Sequence, residues 1–254
     1  MPRIIDLSMV TESDPSPLMN VTITHLDHEN GALEDQKYYD IDPADWPHPG
    51  KSYADDFVEM TTHAGTHMDS PYHMGPLMKD GSIPKTIDEW PLERCMGPGV
   101  VLDIRNIPQA HEVSAEEVEQ MLADIDYELK PGDIVLVMTG NDKLWGTPEY
   151  LDRGGHLGAE ALRWILSQGI TVVGTDSWSF DRPYSQWSAD YHANNRDPRF
   201  LWPCHLLGME MEYAHIEKLA NLDQLPPHGF TVVAFPVKIS RGTAGFVRAV
   251  ALVD

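Results

Sequence analysis

Apolar and polar positions follow two rhythms along this chain. Gly99-Val-Val-Leu-Asp103, Ile134 to Met138 and Ile170 to Gly174 are short apolar runs, the pattern of strands buried on both faces. Between them, Val118, Met121 and Leu122 recur at helical spacing behind Ser114, which can cap the first turn while Glu117 closes a capping box. Ala159 to Ser167 reads as a second helix, stopped by Gly169. Phe57 to Thr62 reads as a short strand running into His63, and Thr231 to Ser240 and Gly245 to Val253 as two more, joined by Arg241-Gly-Thr-Ala244. Residues 11–56 are rich in Pro, Asp, His and Tyr, lack a sustained period and read as mostly loop. A loop of that length is unusual in a compact domain and points to function. Several strands are not separated by helices, so the pattern predicts one mixed-sheet α/β domain over residues 1–254. No GxGxxG or Walker loop is present, which argues against the common nucleotide-binding designs.

Charge narrows the partners. Forty acidic residues against 18 Lys and Arg leave a formal net charge of -22. Such a surface repels phosphate backbones and anionic lipid, so the expected partner is a small-molecule substrate, with no nucleic acid and no membrane. No stretch approaches the roughly 18 apolar residues of a membrane span. Asp6 interrupts the N-terminus before a leader-like apolar run develops. Two distant cysteines, Cys95 and Cys204, make neither a disulfide framework nor a CxxC site. The expected compartment is the cytoplasm.

The segment that carries chemistry is His63-Ala-Gly-Thr-His67-Met-Asp69-Ser-Pro-Tyr-His73. Imidazole nitrogens with a carboxylate oxygen form a donor set suited to zinc or manganese. Gly65 and Pro71 argue against one continuous helix here and for a strand meeting tight turns that bring the side chains together.

His63 to His73 resembles the HxGTHxDxPxH signature of the metal-dependent cyclase family, which includes bacterial kynurenine formamidase and isatin hydrolase. Asp6-Leu-Ser8, Thr139-Gly-Asn-Asp-Lys143 with Trp145, Gly174-Thr-Asp176 with Ser179 and Asp181, and His205 to Leu222 resemble further family segments in order. The resemblance implies a swivelling β/β/α fold, with a barrel-like sheet flanked by helices, in a homodimer or homotetramer. It implies His63, His67 and Asp69 as metal ligands and His73 as the catalytic acid/base. His205 and Glu217 match the late His and Glu that complete a two-metal site, with Glu210 and Glu212 as nearby rivals for the latter. One or two ions, Zn²⁺ or Mn²⁺, are therefore expected per chain.

The implied activity is hydrolysis of a small amide, an aryl formamide first. Opening of a cyclic amide or lactone is the alternative, and a non-catalytic metal-binding protein is the reading from another class. Trp178 and Phe180, with Trp187, can wall a planar substrate, and His25 and His28 can reach the pocket from the N-terminal segment. Two departures lie where substrate would be recognised. Thr24 to Gly31 stands where formamidases carry Trp-Pro, and Tyr184 to Phe200 is an apparent insertion before His205.

Overall fold

A computed structural model describes residues 2–14, 19–109, 111–153 and 156–253. They fall into two compact units, one formed by Met1–Met9 with Gly65–Asp254 and a smaller one formed by Val10–Ala64. Strand β1 (Arg3–Asp6) opens the larger unit. In the smaller unit β2 (Thr22–Leu26) is followed by helix α1 (His28–Tyr39), then by β3 (Asp55–Glu59), which pairs antiparallel with β2.

A strand, β2, and a helix, α1, thus stand where the pattern predicts mostly loop. The reason is exposure: α1 buries only Gly31, Ala32 and Asp35, so no apolar stripe marks it. Its ends hold it instead, because the Asp27 carboxylate accepts from the Glu29 and Asn30 amides and Asp40 closes the helix in a left-handed conformation. The expected strand before His63 starts earlier, at Asp55, and ends at Glu59, before a turn in which the Ala64 amide donates to the Thr61 carbonyl.

The larger unit continues with β4 (His67–Asp69), α2 (Pro71–Met74), β5 (Met96–Asp103), β6 (Glu112–Val113), α3 (Ala115–Asp124), β7 (Ile134–Met138) and β8 (His156–Leu157). Then come α4 (Ala159–Ser167), β9 (Val172–Thr175), α5 (Tyr184–Ala193), α6 (Pro203–Leu207), β10 (Ala214–Glu217), β11 (His228–Val233), β12 (Ala244–Phe246) and β13 (Val250–Val253). Nine strands make one curled, half-barrel sheet flanked by helices, in the order β1-β13-β11-β5-β7-β9-β10-β4-β12. β5, β7, β9 and β10 run parallel, and the flanking pairs are antiparallel. This is the expected mixed α/β class.

Side-chain alternation divides the sheet into two buried faces. Ile134, Leu136, Val172 and Ile216 join Met68 and Phe230 on one face. Val100, Leu102, Val135, Val137 and Val173 pack on the other, against Val118 and Leu122 of α3 and Leu162 and Ile165 of α4. The continuous apolar runs read from the sequence are those strands, apolar on both sides because both sides are covered. α3 carries the expected Ser114–Glu117 capping box, and Gly169 follows α4 at φ +86°.

The C-terminal expectation needs correction. β11 ends at Val233, and Pro236, which has no N–H to offer a ladder, lies in the segment that leaves the sheet. The run Gly245 to Val253 divides into β12, paired with β4, and β13, paired with β1 and β11. Among the described residues no helix is long and apolar enough to cross a membrane.

Candidate metal centre

The site grows from the register of two short strands. β10 lies antiparallel to β4 with Glu217 opposite His67 and His215 opposite Asp69. Alternation turns Ile216 and Met68 into the apolar core, so His67, Asp69, His215 and Glu217 share the opposite face. The same row runs inward to Val173 and Val135, so the donors form the polar margin of an otherwise apolar surface.

His67 and Asp69 are fully buried, and Glu217 and His205 nearly so. His67 Nε2 lies 3.1 Å from Asp69 Oδ1 and 3.5 Å from Glu217 Oε2. His205 Nε2 lies 3.9 Å from Asp69 Oδ2 and 3.8 Å from Glu217 Oε1. Opposite oxygens of the two carboxylates therefore face the two imidazoles. Two donors bound to one ion at about 2.0–2.2 Å sit about 3.0–3.5 Å apart at ordinary coordination angles. The observed spacings match that or lie slightly wider, and a mixed nitrogen–oxygen donor set suits a divalent cation. The residues fit a divalent cation.

Neighbours orient these donors. His67 Nδ1–H donates to the Gly65 carbonyl at 2.9 Å, which aims Nε2 at Asp69 and Glu217. Gly65 itself sits at φ +61°, in the left-handed region that glycine enters at little cost. His205 Nδ1–H donates to Asp181 Oδ2 at 2.6 Å, and the same carboxylate accepts from the amides of Cys204 and His205 at the start of α6. Burial disfavours the His205 cation, but the Asp181 hydrogen bond and the surrounding carboxylates prevail and push its pKa up to about 9. Burial holds His215 well below the ordinary imidazole value, with the neighbouring His205 acting in the same sense.

We expect Asp181→Asn to weaken metal retention by about 10–100-fold, the usual cost of losing a group that orients a ligand. Dialysis against a competing chelator checks this, and unchanged retention would mean that Asp181 only holds α6.

His73 stands at the rim. It lies on α2, its side chain is about one-fifth exposed, and its Nε2 is 4.0 Å from Asp69 Oδ2. Its ring meets that of His205 edge-on at 5.5 Å. His63 is the last residue but one of the smaller unit. His25 and His28 also lie there, His25 paired with Asp56 and His28 with the Ser52 carbonyl. Phe180 is buried and stacks on His215 at 4.4 Å, whereas Trp178 is half-buried. Glu210 pairs with Lys79 and Arg163, and Glu212 with Lys85 and Arg94, so neither rival of Glu217 belongs to the cluster.

Two family-like segments meet behind the site. Asp176 accepts from the Thr139 amide, the Thr139 hydroxyl and the Gly140 amide, while burial raises its carboxyl to about 6.

Three residues escaped the sequence reading. His215 could have been found from the alternation Ala-His-Ile-Glu, which places it on the same face as Glu217 in any strand. Lys218 is buried, holds φ +59° and sets its ammonium 3.2 Å from Glu217 Oε2. Trp202, also left-handed at φ +47°, lays its ring 4.9 Å from His205 and 6.0 Å from Trp187 of α5. No local pattern announces either of these two.

The isatin hydrolase of Roseibium aggregatum is 28% identical to this chain over 221 residues, covering 80% of this chain and 76% of the relative. The kynurenine formamidase of Salinibacter ruber is 26% identical over 199 residues, covering 76% and 77%. Among solved structures, isatin hydrolase A from Labrenzia aggregata bound to benzyl benzoate superposes with a TM-score of 0.75 at 24% identity, over 99% of this chain and 93% of the other, which shows the shared swivelling β/β/α fold. The family description that matches residues 5–182 spans both β4, with His67 and Asp69, and the Asp181 that orients His205, and the chain belongs to that family, the putative cyclases.

Proposed function

We propose that this chain is a metal-dependent hydrolase that cleaves the carbon–nitrogen bond of a small amide, with an aryl formamide as the leading substrate class. One observation carries the reading: a buried cluster of imidazoles and carboxylates at metal-ligand spacing sits directly beside a partly exposed histidine, His73. His67 and Asp69 would help to hold one ion, Zn²⁺ or Mn²⁺. His205 and Glu217 would complete a place for a second, with Asp69 and Glu217 reaching both. The division of carboxylate oxygens between His67 and His205 supports that two-ion arrangement.

When bound, the cation supplies Lewis acidity, bringing the pKa of a water toward about 7 and stabilising negative charge on the substrate's carbonyl oxygen. The protein's own groups do the rest. His73 Nε2 takes a proton from the attacking nucleophile and returns it to the departing nitrogen. Asp181 holds the His205 ring in place through Nδ1. The Trp202 indole, beside His205 and 6.4 Å from the His73 ring, offers a flat apolar wall to an aryl group.

A second reading is ring opening of a cyclic amide or lactone, favoured by the 28% identity to an isatin hydrolase. The test is a side-by-side assay of metal-loaded protein on N-formylkynurenine, isatin and a simple aryl lactone. The highest kcat/KM on N-formylkynurenine supports the leading reading, and preference for a cyclic substrate promotes the second. Turnover of none of them, with metal bound and His73 intact, refutes the hydrolase in favour of a metal-binding protein.

A further inference from the structure

His215 occupies a position that packing alone explains poorly. It is fully buried in the middle of β10, and neither ring nitrogen has a hydrogen-bond partner among the described residues. Leaving a buried polar group without a partner costs about 1–3 kcal/mol. One face of the ring lies on Phe180, and the nearby Tyr213 hydroxyl is committed to the Cys204 carbonyl at 2.8 Å.

What the ring does meet is the donor cluster. Its Nε2 is 3.5 Å from Glu217 Oε1, the oxygen that also faces His205. Its centroid is 5.2 Å from that of His205, and its Cα is in register with Asp69 across the sheet. Asp69, His205, His215 and Glu217 each present a ligand atom, all within 4.8 Å of one another.

We propose that His215 is itself a metal ligand, so that the ion on the His205 side is held by four protein groups: His205, His215, Asp69 and Glu217. This rests on the metal-dependent reading above. A cation there gives Nε2 the partner it lacks. Four protein donors are the mark of a closed site, whereas a site that activates water keeps a position open.

The experiment measures zinc stoichiometry after desalting and the rate of zinc release to a chromophoric chelator, for wild type, His215→Ala and His215→Phe. The Phe variant keeps an aromatic ring against Phe180 and removes the lone pair. Circular dichroism establishes that each variant is folded. Loss of a ligand should exceed the about 10–100-fold penalty of losing a group that merely orients one. Release from both variants at least about 100-fold faster than from wild type, or an ion missing altogether, is the expected result. Folded variants with wild-type stoichiometry and release would make His215 a packing residue.

A further measurement leaves position 215 intact. His67→Ala protein, in excess zinc, should keep one ion per chain whose X-ray absorption spectrum counts two imidazoles. No retained ion, or a single imidazole, overturns the proposal even if the His215 variants do not fold. Wild type that binds no metal at all is a separate outcome and refutes the metal-dependent reading itself.

Discussion

Replacing His67 with Ala should reduce turnover by about 10³-fold or more while leaving the fold in place. The size follows from what a bound cation contributes to hydrolysis: several kcal/mol of charge stabilisation, at tenfold in rate for each 1.36 kcal/mol. His67 Nε2 lies 3.1 Å from Asp69 Oδ1 and 3.5 Å from Glu217 Oε2, so its removal takes a donor from that side of the cluster. The fold should persist because Met68, between the two donors, packs into the opposite, apolar face and is untouched. Elemental analysis should show less metal per chain than in wild type. Full occupancy together with full activity would remove His67 from the centre.

His73→Ala should separate metal binding from catalysis. Turnover is expected to fall by about 10²–10⁴-fold, the range for losing a positioned general acid/base, with the metal content of wild type. The geometry behind this is the 4.0 Å gap between His73 Nε2 and Asp69 Oδ2 and the partial exposure of the ring, which let protons pass to and from solvent. A variant that loses metal in step with activity would make His73 a ligand instead.

How much of this was legible in the chain depends on how local each feature is. The strand Ile134 to Met138 and the Ser114 capping box were readable because a few contiguous residues determine them. His67, Asp69 and His73 announced themselves for the same reason, packed into one short stretch. Helix α1 was hidden because its stability sits in its caps and its faces are mostly polar. The break between β12 and β13 was hidden because two different partners, β4 on one side and β1 with β11 on the other, decide it. His215 sits between these cases. Its face was deducible from alternation, but its place opposite Asp69 depends on a register set between distant segments. Trp202 and Lys218 gave no signal, since their left-handed backbones are imposed by the surrounding structure.

That register also splits the candidate donor set between segments made at different times during biosynthesis. β4 leaves the ribosome early and β10 late, and neither strand alone carries the full donor set. The α3 and α4 layer and the parallel strands β5, β7 and β9 are made in between, and β10 pairs with β9 on one side and β4 on the other. Until β10 is made, His67 and Asp69 stand without the opposing Glu217 and His215. The full set comes together only when β4 and β10 are paired. A chain misregistered between β4 and β10 would turn the two halves of the proposed donor set to opposite faces of the sheet, so correct strand pairing is a precondition of the proposed centre.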